Sequence, residues 1–195
     1  MSAPAFAGPR PVLVLGDSLS AAYGLSPQDG WVALLEKRLA SLQPARKTVN
    51  ASISGETSAG GLARLPALLR QHAPALVVVE LGANDGLRGL PLAQVRDNLA
   101  KILTAIHAAD ARAVLVGIEL PVNYGPQYRD GLRALYRGLA DEFNVPLVPF
   151  LLDGVALDPD LMQDDGLHPK AAAEPHVLDT VWRVLEPALK ALPGR

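Results

Sequence analysis

The chain has 195 residues, of which 49% are hydrophobic and 19% charged, with a formal net charge of -2. That length and composition fit one folded globular domain, and the near-neutral charge leaves no basic footprint for nucleic acid. The absence of cysteine excludes disulfides, thiolate metal sites and a cysteine nucleophile.

The first ten residues are expected to form a flexible tail, followed by a single domain over 11–195. Within the tail, Ala5-Phe6-Ala7 fits the small-x-small pattern of a signal-peptidase site, but no basic and apolar regions precede it. A trimmed export signal and an Ala/Pro-rich tail both remain open. Val12–Leu15 reads as a buried strand ending at Gly16. Trp31, Leu34, Leu35, Leu39 and Leu42 recur at helical spacing. "KTVNASI" reads as a second strand. A helix is expected from Ser58 to about His72, with Pro66 able to kink it. "LVVVELG", Leu76 to Gly82, is the clearest buried strand. Pro91 to Ala109 fits a helix with its proline in the first turn. "AVLVGIEL" follows as a strand, then a loop, a helix from Arg129 to Phe143, and a short fifth strand in "VPLVPF". A last helix, interrupted by prolines, is expected between Ala171 and Leu192.

Five continuous apolar strands alternating with helices predict a parallel sheet covered on both faces. No apolar run approaches the roughly 20 residues of a membrane-spanning helix, so no integral membrane segment is expected. In open α/β sheets ligands bind beyond the carboxyl ends of the strands. Four such ends carry polar residues of catalytic type: Asp17-Ser18, Ser54-Gly55-Glu56-Thr57, Asn84-Asp85, and Asp164-Asp165-Gly166-Leu167-His168.

Those types suit acyl transfer. A serine hydroxyl needs a base, histidine is the usual base near neutral pH, and a carboxylate holds the imidazole in register. Ser18 fits the first role, His168 the second, and Asp165 can reach the ring from three residues before it. Asp164 competes with Asp165 for that place. Gly55 can present a backbone N–H and Asn84 its amide to an oxyanion. Each residue also has a plain reading: Ser18 as a helix cap, Gly55 and Asn84 as turn residues, His168 as a solvated loop histidine. Joint occurrence at strand ends favours the catalytic reading. Asp17 and Asp85 are expected to bond loop amides behind the site. His72, His107 and His176 lack such surroundings.

The blocks "GDSLS", "NASISGETSAGG", "GAND" and "DGLH" resemble those of the SGNH (GDSL) hydrolases, and most nearly the bacterial acyl-CoA thioesterase I/lysophospholipase/arylesterase group. The resemblance implies a three-layer α/β/α sandwich with a five-stranded parallel, flavodoxin-like sheet. It implies a catalytic triad of Ser18, Asp165 and His168, with the oxyanion held by the Ser18 and Gly55 N–H groups and the Asn84 side chain. It also implies hydrolysis of small-molecule or lipid-like esters and thioesters without metal or cofactor, by a periplasmic or secreted enzyme; a cytoplasmic location remains open, and a monomer is expected. Leu87, Leu90, Pro121 and Tyr124 can line an acyl groove; ordinary loop packing is the alternative. Two rival functions remain: a carbohydrate acetylesterase of the same family, and a non-catalytic flavodoxin-like binding module. The second is weakened because no phosphate-binding glycine motif follows the first strand.

Overall fold

The computed structural model describes residues 9–192. The short apolar runs become five strands: β1 (Val12–Gly16), β2 (Thr48–Asn50), β3 (Leu76–Glu80), β4 (Arg112–Val116) and β5 (Leu147–Val148). They form one parallel sheet in the order β2-β1-β3-β4-β5, with Val12 opposite both Thr48 and Leu76, and Leu76 opposite Arg112. Six α-helices accompany them in the described residues: α1 (Trp31–Ala40), α2 (Ser58–His72), α3 (Ala83–Leu87), α4 (Leu92–Ala108), α5 (Pro126–Phe143) and α6 (Glu174–Lys190). None is long and apolar enough to cross a membrane.

Successive strand side chains point to opposite faces, so each of the three central strands supplies two cores. Leu13, Leu15, Val77, Val79 and Leu115 pack with residues of α2, α4 and α5 on one face. Val12, Val14, Val78, Val114 and Val116 pack with α1 and α6 on the other. Each fully buried Leu or Val contributes about 1.5–3 kcal/mol of transfer free energy. This two-sided burial explains why the strands read as unbroken apolar runs rather than as alternating ones. The second core is also joined by a polar clamp: the Trp31 N–H at the start of α1 donates to Glu174 Oε2 at 2.6 Å, in the first turn of α6. Burial pushes the Glu174 carboxyl up to about 7, against the Trp31 hydrogen bond.

Several boundaries differ from expectation. The strand beginning near Ala113 stops at Val116 instead of continuing to Leu120. Beyond it Gly117 still bonds the neighbouring segment, its N–H donating to the Val148 carbonyl and its carbonyl accepting from Leu151 N–H, but residues 117–120 form no regular strand. Pro66 lies inside α2, which runs uninterrupted through it. α5 begins at Pro126, three residues before the expected start, because proline at the first helical position forfeits no intrahelical bond. The prolines of the last helix do not interrupt it. A single 3-10 turn, Ala171–Ala173, precedes α6; Pro175 occupies its first turn and Pro187 lies within it. The Ala5-Phe6-Ala7 pattern lies outside the described residues. Just inside them, Arg10 donates to the carbonyls of Ala73, Pro74 and Asp110 and pairs with the Asp110 carboxylate at 3.1 Å.

The sheet order reverses direction between β1 and β3. The chain leaves β1 toward β2 on one side and β3 begins on the other, which opens a crevice at their carboxyl ends. Ser18 follows β1, Gly55 follows β2 and Asn84 follows β3 at that crevice.

Candidate active site

Ser18 stands two residues beyond β1, in a tight turn. The Ala21 N–H donates to the Asp17 carbonyl at 3.0 Å and the Tyr23 N–H to the Ser18 carbonyl at 3.2 Å. Within this turn Leu19 N–H donates to Asp17 Oδ1 at 3.1 Å. Gly16 permits the close approach that follows: a Cβ there would come within 2.8 Å of both Ser20 Oγ and a Glu80 carboxyl oxygen.

The histidine arrives from the far end of the chain. A short antiparallel bridge between Met162 and Pro169 closes the loop that carries it, and Gln163 N–H donates to the His168 carbonyl at 2.8 Å. Asp165 accepts from the Leu167 and His168 N–H groups at 2.9 and 3.0 Å, which fixes its carboxylate under the ring. Asp165 Oδ2 then lies 2.6 Å from His168 Nδ1, and His168 Nε2 lies 2.8 Å from Ser18 Oγ. Residues 150 positions apart thus form one continuous hydrogen-bonded row. Partial burial works against the Asp165 charge, but those N–H donors and the imidazole hold its carboxyl below the usual range. Asp164 is exposed and makes no hydrogen bond among the described residues.

Asn84 lies on α3, a five-residue helix that the sequence pattern did not announce. Its Nδ2 donates to Asp17 Oδ2 at 3.0 Å, which uses one amide hydrogen and leaves the second. Gly55 has φ of +79°, a conformation that disfavours any side chain even though the space beside it is open. Its carbonyl accepts from Arg88 at 3.2 Å, tying its loop to the end of α3. The Ser18 and Gly55 N–H groups donate no hydrogen bond among the described residues. Three free donors therefore come from three strand ends.

Behind this row lies a buried acidic layer. Asp85 accepts from Ser58 N–H at 2.8 Å and from Ser58 Oγ at 2.5 Å, and Ser58 Oγ in turn accepts from Asn98 at 3.0 Å. This fastens α3 to the start of α2. Glu80, the last residue of β3, accepts from Ser20 Oγ at 2.7 Å and from Asp17 N–H at 3.3 Å. Burial, and next the charge of Asp17, hold the Glu80 carboxyl well above the usual range. Burial also pushes Asp17 up to about 6, against the hydrogen bonds from Leu19 and Asn84 and the nearby His168. The signal of Glu80 in sequence was a charge closing the apolar run "LVVVE", whose position on a buried strand demands such partners.

Beside Ser18 and His168 opens a mostly apolar cleft of about 540 Å³, its open mouth included. Leu87 and Pro121 contribute to its wall, together with Ile118, Leu120, Phe150 and Leu167. The two other groove candidates do not line it. Leu90 packs against the core, its carbonyl accepting from Tyr128 at 2.6 Å; Tyr124 donates to the Leu87 carbonyl at 3.0 Å from behind. Their apolar atoms face the packed interior, and their loop neighbours take the wall positions. The single acid in the wall, Glu119, is paired with Arg129 and Arg133 at 3.3 and 2.9 Å. His72, His107 and His176 sit on α2, α4 and α6, and His176 contacts the Asp153 carbonyl instead of the row.

Comparison with known proteins gives a consistent picture. A family model described as "GDSL-like Lipase/Acylhydrolase family" matches residues 14–174. The esterase TesA of Pseudomonas aeruginosa is 52% identical over 183 residues, covering 94% of this chain and 91% of that protein. Thioesterase 1/protease 1/lysophospholipase L1 of Escherichia coli is 50% identical over 176 residues, covering 90% of this chain and 83% of that protein. The solved structure of a psychrotrophic esterase, EstA from Pseudoalteromonas, inhibited by monoethylphosphonate, superimposes with a TM-score of 0.88 at 42% identity and covers 93% of this chain and 99% of its own.

Proposed function

The chain belongs to the GDSL-like lipase/acylhydrolase family, and from that premise we propose that it hydrolyses carboxylic esters and thioesters through an acyl-enzyme on Ser18. The observation that carries this reading is the row from Ser18 Oγ through the imidazole to Asp165, at 2.8 and 2.6 Å, beside an apolar cleft.

His168 Nε2 takes the Ser18 proton as Oγ attacks the acyl carbonyl, and Asp165 holds the ring and stabilises the imidazolium. The new C–O bond converts the carbonyl to a tetrahedral oxyanion. The Ser18 and Gly55 N–H groups and the second Asn84 amide hydrogen supply its donors. The imidazolium returns its proton to the departing alcohol or thiol as that bond breaks. Water then repeats the sequence, leaving a free acid and a regenerated serine. Asp17 and Glu80 aim Asn84 and brace the serine turn from behind.

The cleft favours an apolar acyl chain, which agrees with relatives named as esterase and thioesterase/lysophospholipase. A periplasmic location and a monomeric state belong to the same proposal. Hydrolysis of p-nitrophenyl esters from acetate to palmitate, with Ser18→Ala in parallel, tests it. Serine-dependent turnover that persists beyond acetate supports the acyl-chain reading. Turnover confined to acetate moves the assignment to an acetylesterase, and turnover retained in Ser18→Ala refutes it.

A further inference from the structure

One large aromatic side chain in contact with the row has no part in the chemistry above. Tyr23 packs on His168, with ring centroids 4.5 Å apart and planes inclined by 39°. It is 51% exposed, which leaves about half of its surface to solvent. Its backbone is held in place. Its N–H donates to the Ser18 carbonyl, and its carbonyl accepts from Gln163 Nε2 at 2.9 Å. Gln163 donates as well to the Pro169 carbonyl at 2.8 Å, so the Tyr23 backbone is tied to the loop that carries His168.

The geometry of an ester then decides what the ring can meet. A scissile carbonyl carbon on Ser18 carries two substituents. The apolar cleft receives one, and Tyr23 takes no part in its wall. The other departs with the proton that His168 Nε2 returns, so it must lie next to the imidazole at that moment. Tyr23 is the exposed ring in contact with that imidazole. An exposed aromatic surface at this point suits a flat, apolar group, which can stack on it.

We propose that Tyr23 is the leaving-group platform of the active site, selecting esters whose departing group is aromatic. This rests on the serine-hydrolase reading above. It gives the substrate a polarity: acyl chain in the cleft between the β3 and β5 ends, leaving group over Tyr23. A structural role is the competing account, in which the ring merely props His168. The two accounts separate because His168 serves every substrate and both half-reactions, whereas a platform serves only substrates that stack on it.

The test compares two esters of one acid, phenyl butyrate and trifluoroethyl butyrate, in wild type, Tyr23→Phe and Tyr23→Ala. Thermal unfolding of each variant verifies folding. Tyr23→Ala is expected to lower kcat/KM for phenyl butyrate roughly three- to tenfold more than for trifluoroethyl butyrate, the range of an aromatic pair. Most of the loss should lie in acylation and KM, and Tyr23→Phe should keep the wild-type ratio of the two esters. Equal losses on both esters, or no loss on either, overturn the platform. Absence of Ser18-dependent turnover on either ester in wild type instead overturns the function it rests on.

Discussion

Asn84 has two amide hydrogens and one fixed neighbour. Its bond to Asp17 orients the amide plane and leaves one hydrogen free, which in the proposed mechanism meets the developing charge. Asn84→Ala is expected to fold, as its side chain is not part of either core, and to lose about 100- to 1000-fold in kcat, the usual cost of one oxyanion donor. A loss under tenfold in steady-state ester turnover would remove Asn84 from that role. Geometry supports Asp165 over Asp164 as the partner of His168. Asp165 bonds the ring and two N–H groups, while Asp164 faces solvent. Asp165→Asn is expected to lower kcat by up to about 10⁴-fold because the amide favours the wrong imidazole tautomer. Asp164→Asn should remain near wild type, and a reversal of this order would reassign the triad. Spacing alone could suggest Asp165. It could not supply the two backbone donors that fix the carboxylate, since these depend on how the loop folds.

Elements carry a second set of consequences. The N-terminus of α1 has no side-chain cap of its own; Glu174 of α6 provides the acceptor from 143 residues away. Because the folded Glu174 titrates at about 7, above its ordinary 4.5, it favours the protonated form. Its contribution to stability is fully present below about pH 4.5 and is lost as pH rises through 7. Glu174→Gln keeps an acceptor for the Trp31 N–H without the charge. Thermal unfolding should therefore show the variant more stable than wild type at pH 8, by on the order of 1–3 kcal/mol, and nearly equal at pH 4.5. A gain that is the same at both pH values would contradict the buried titration. In the wall of the cleft, Leu87→Trp should cut kcat/KM for palmitate esters while sparing butyrate, with a loss of roughly fourfold per excluded methylene. An unchanged chain-length profile would show that α3 does not bound the acyl chain. Neither α3 nor the clamp was readable from periodicity. Five residues are too few to show a helical period, and a buried acid in a first turn looks in sequence like ordinary capping.

At the scale of the molecule, topology does the assembling. The order β2-β1-β3-β4-β5 brings three strand ends to one crevice, and the loop before α6 closes over it with His168. The three central strands were legible because burial on both faces leaves unbroken apolar runs such as Val12–Leu15 and Leu76–Val79, whereas β2 at the edge, Thr48–Asn50, is only partly buried. The chemistry was legible because the polar residues stand immediately after those runs. The cleft wall was only half legible. Leu87 and Leu90 look equivalent in sequence, and both pack against the core, but only Leu87 also reaches the cleft wall. Tyr23 was invisible as a site residue for the same reason: its contact with His168 spans 145 positions and has no local signature.

The most direct test of the acyl-enzyme account is reaction with an organophosphorus ester, followed by intact mass and peptide mapping. One adduct per chain is expected, on Ser18, with ester turnover lost in proportion to modification and no adduct in Ser18→Ala. An adduct on another residue, or full turnover by a chain quantitatively modified at Ser18, would contradict it.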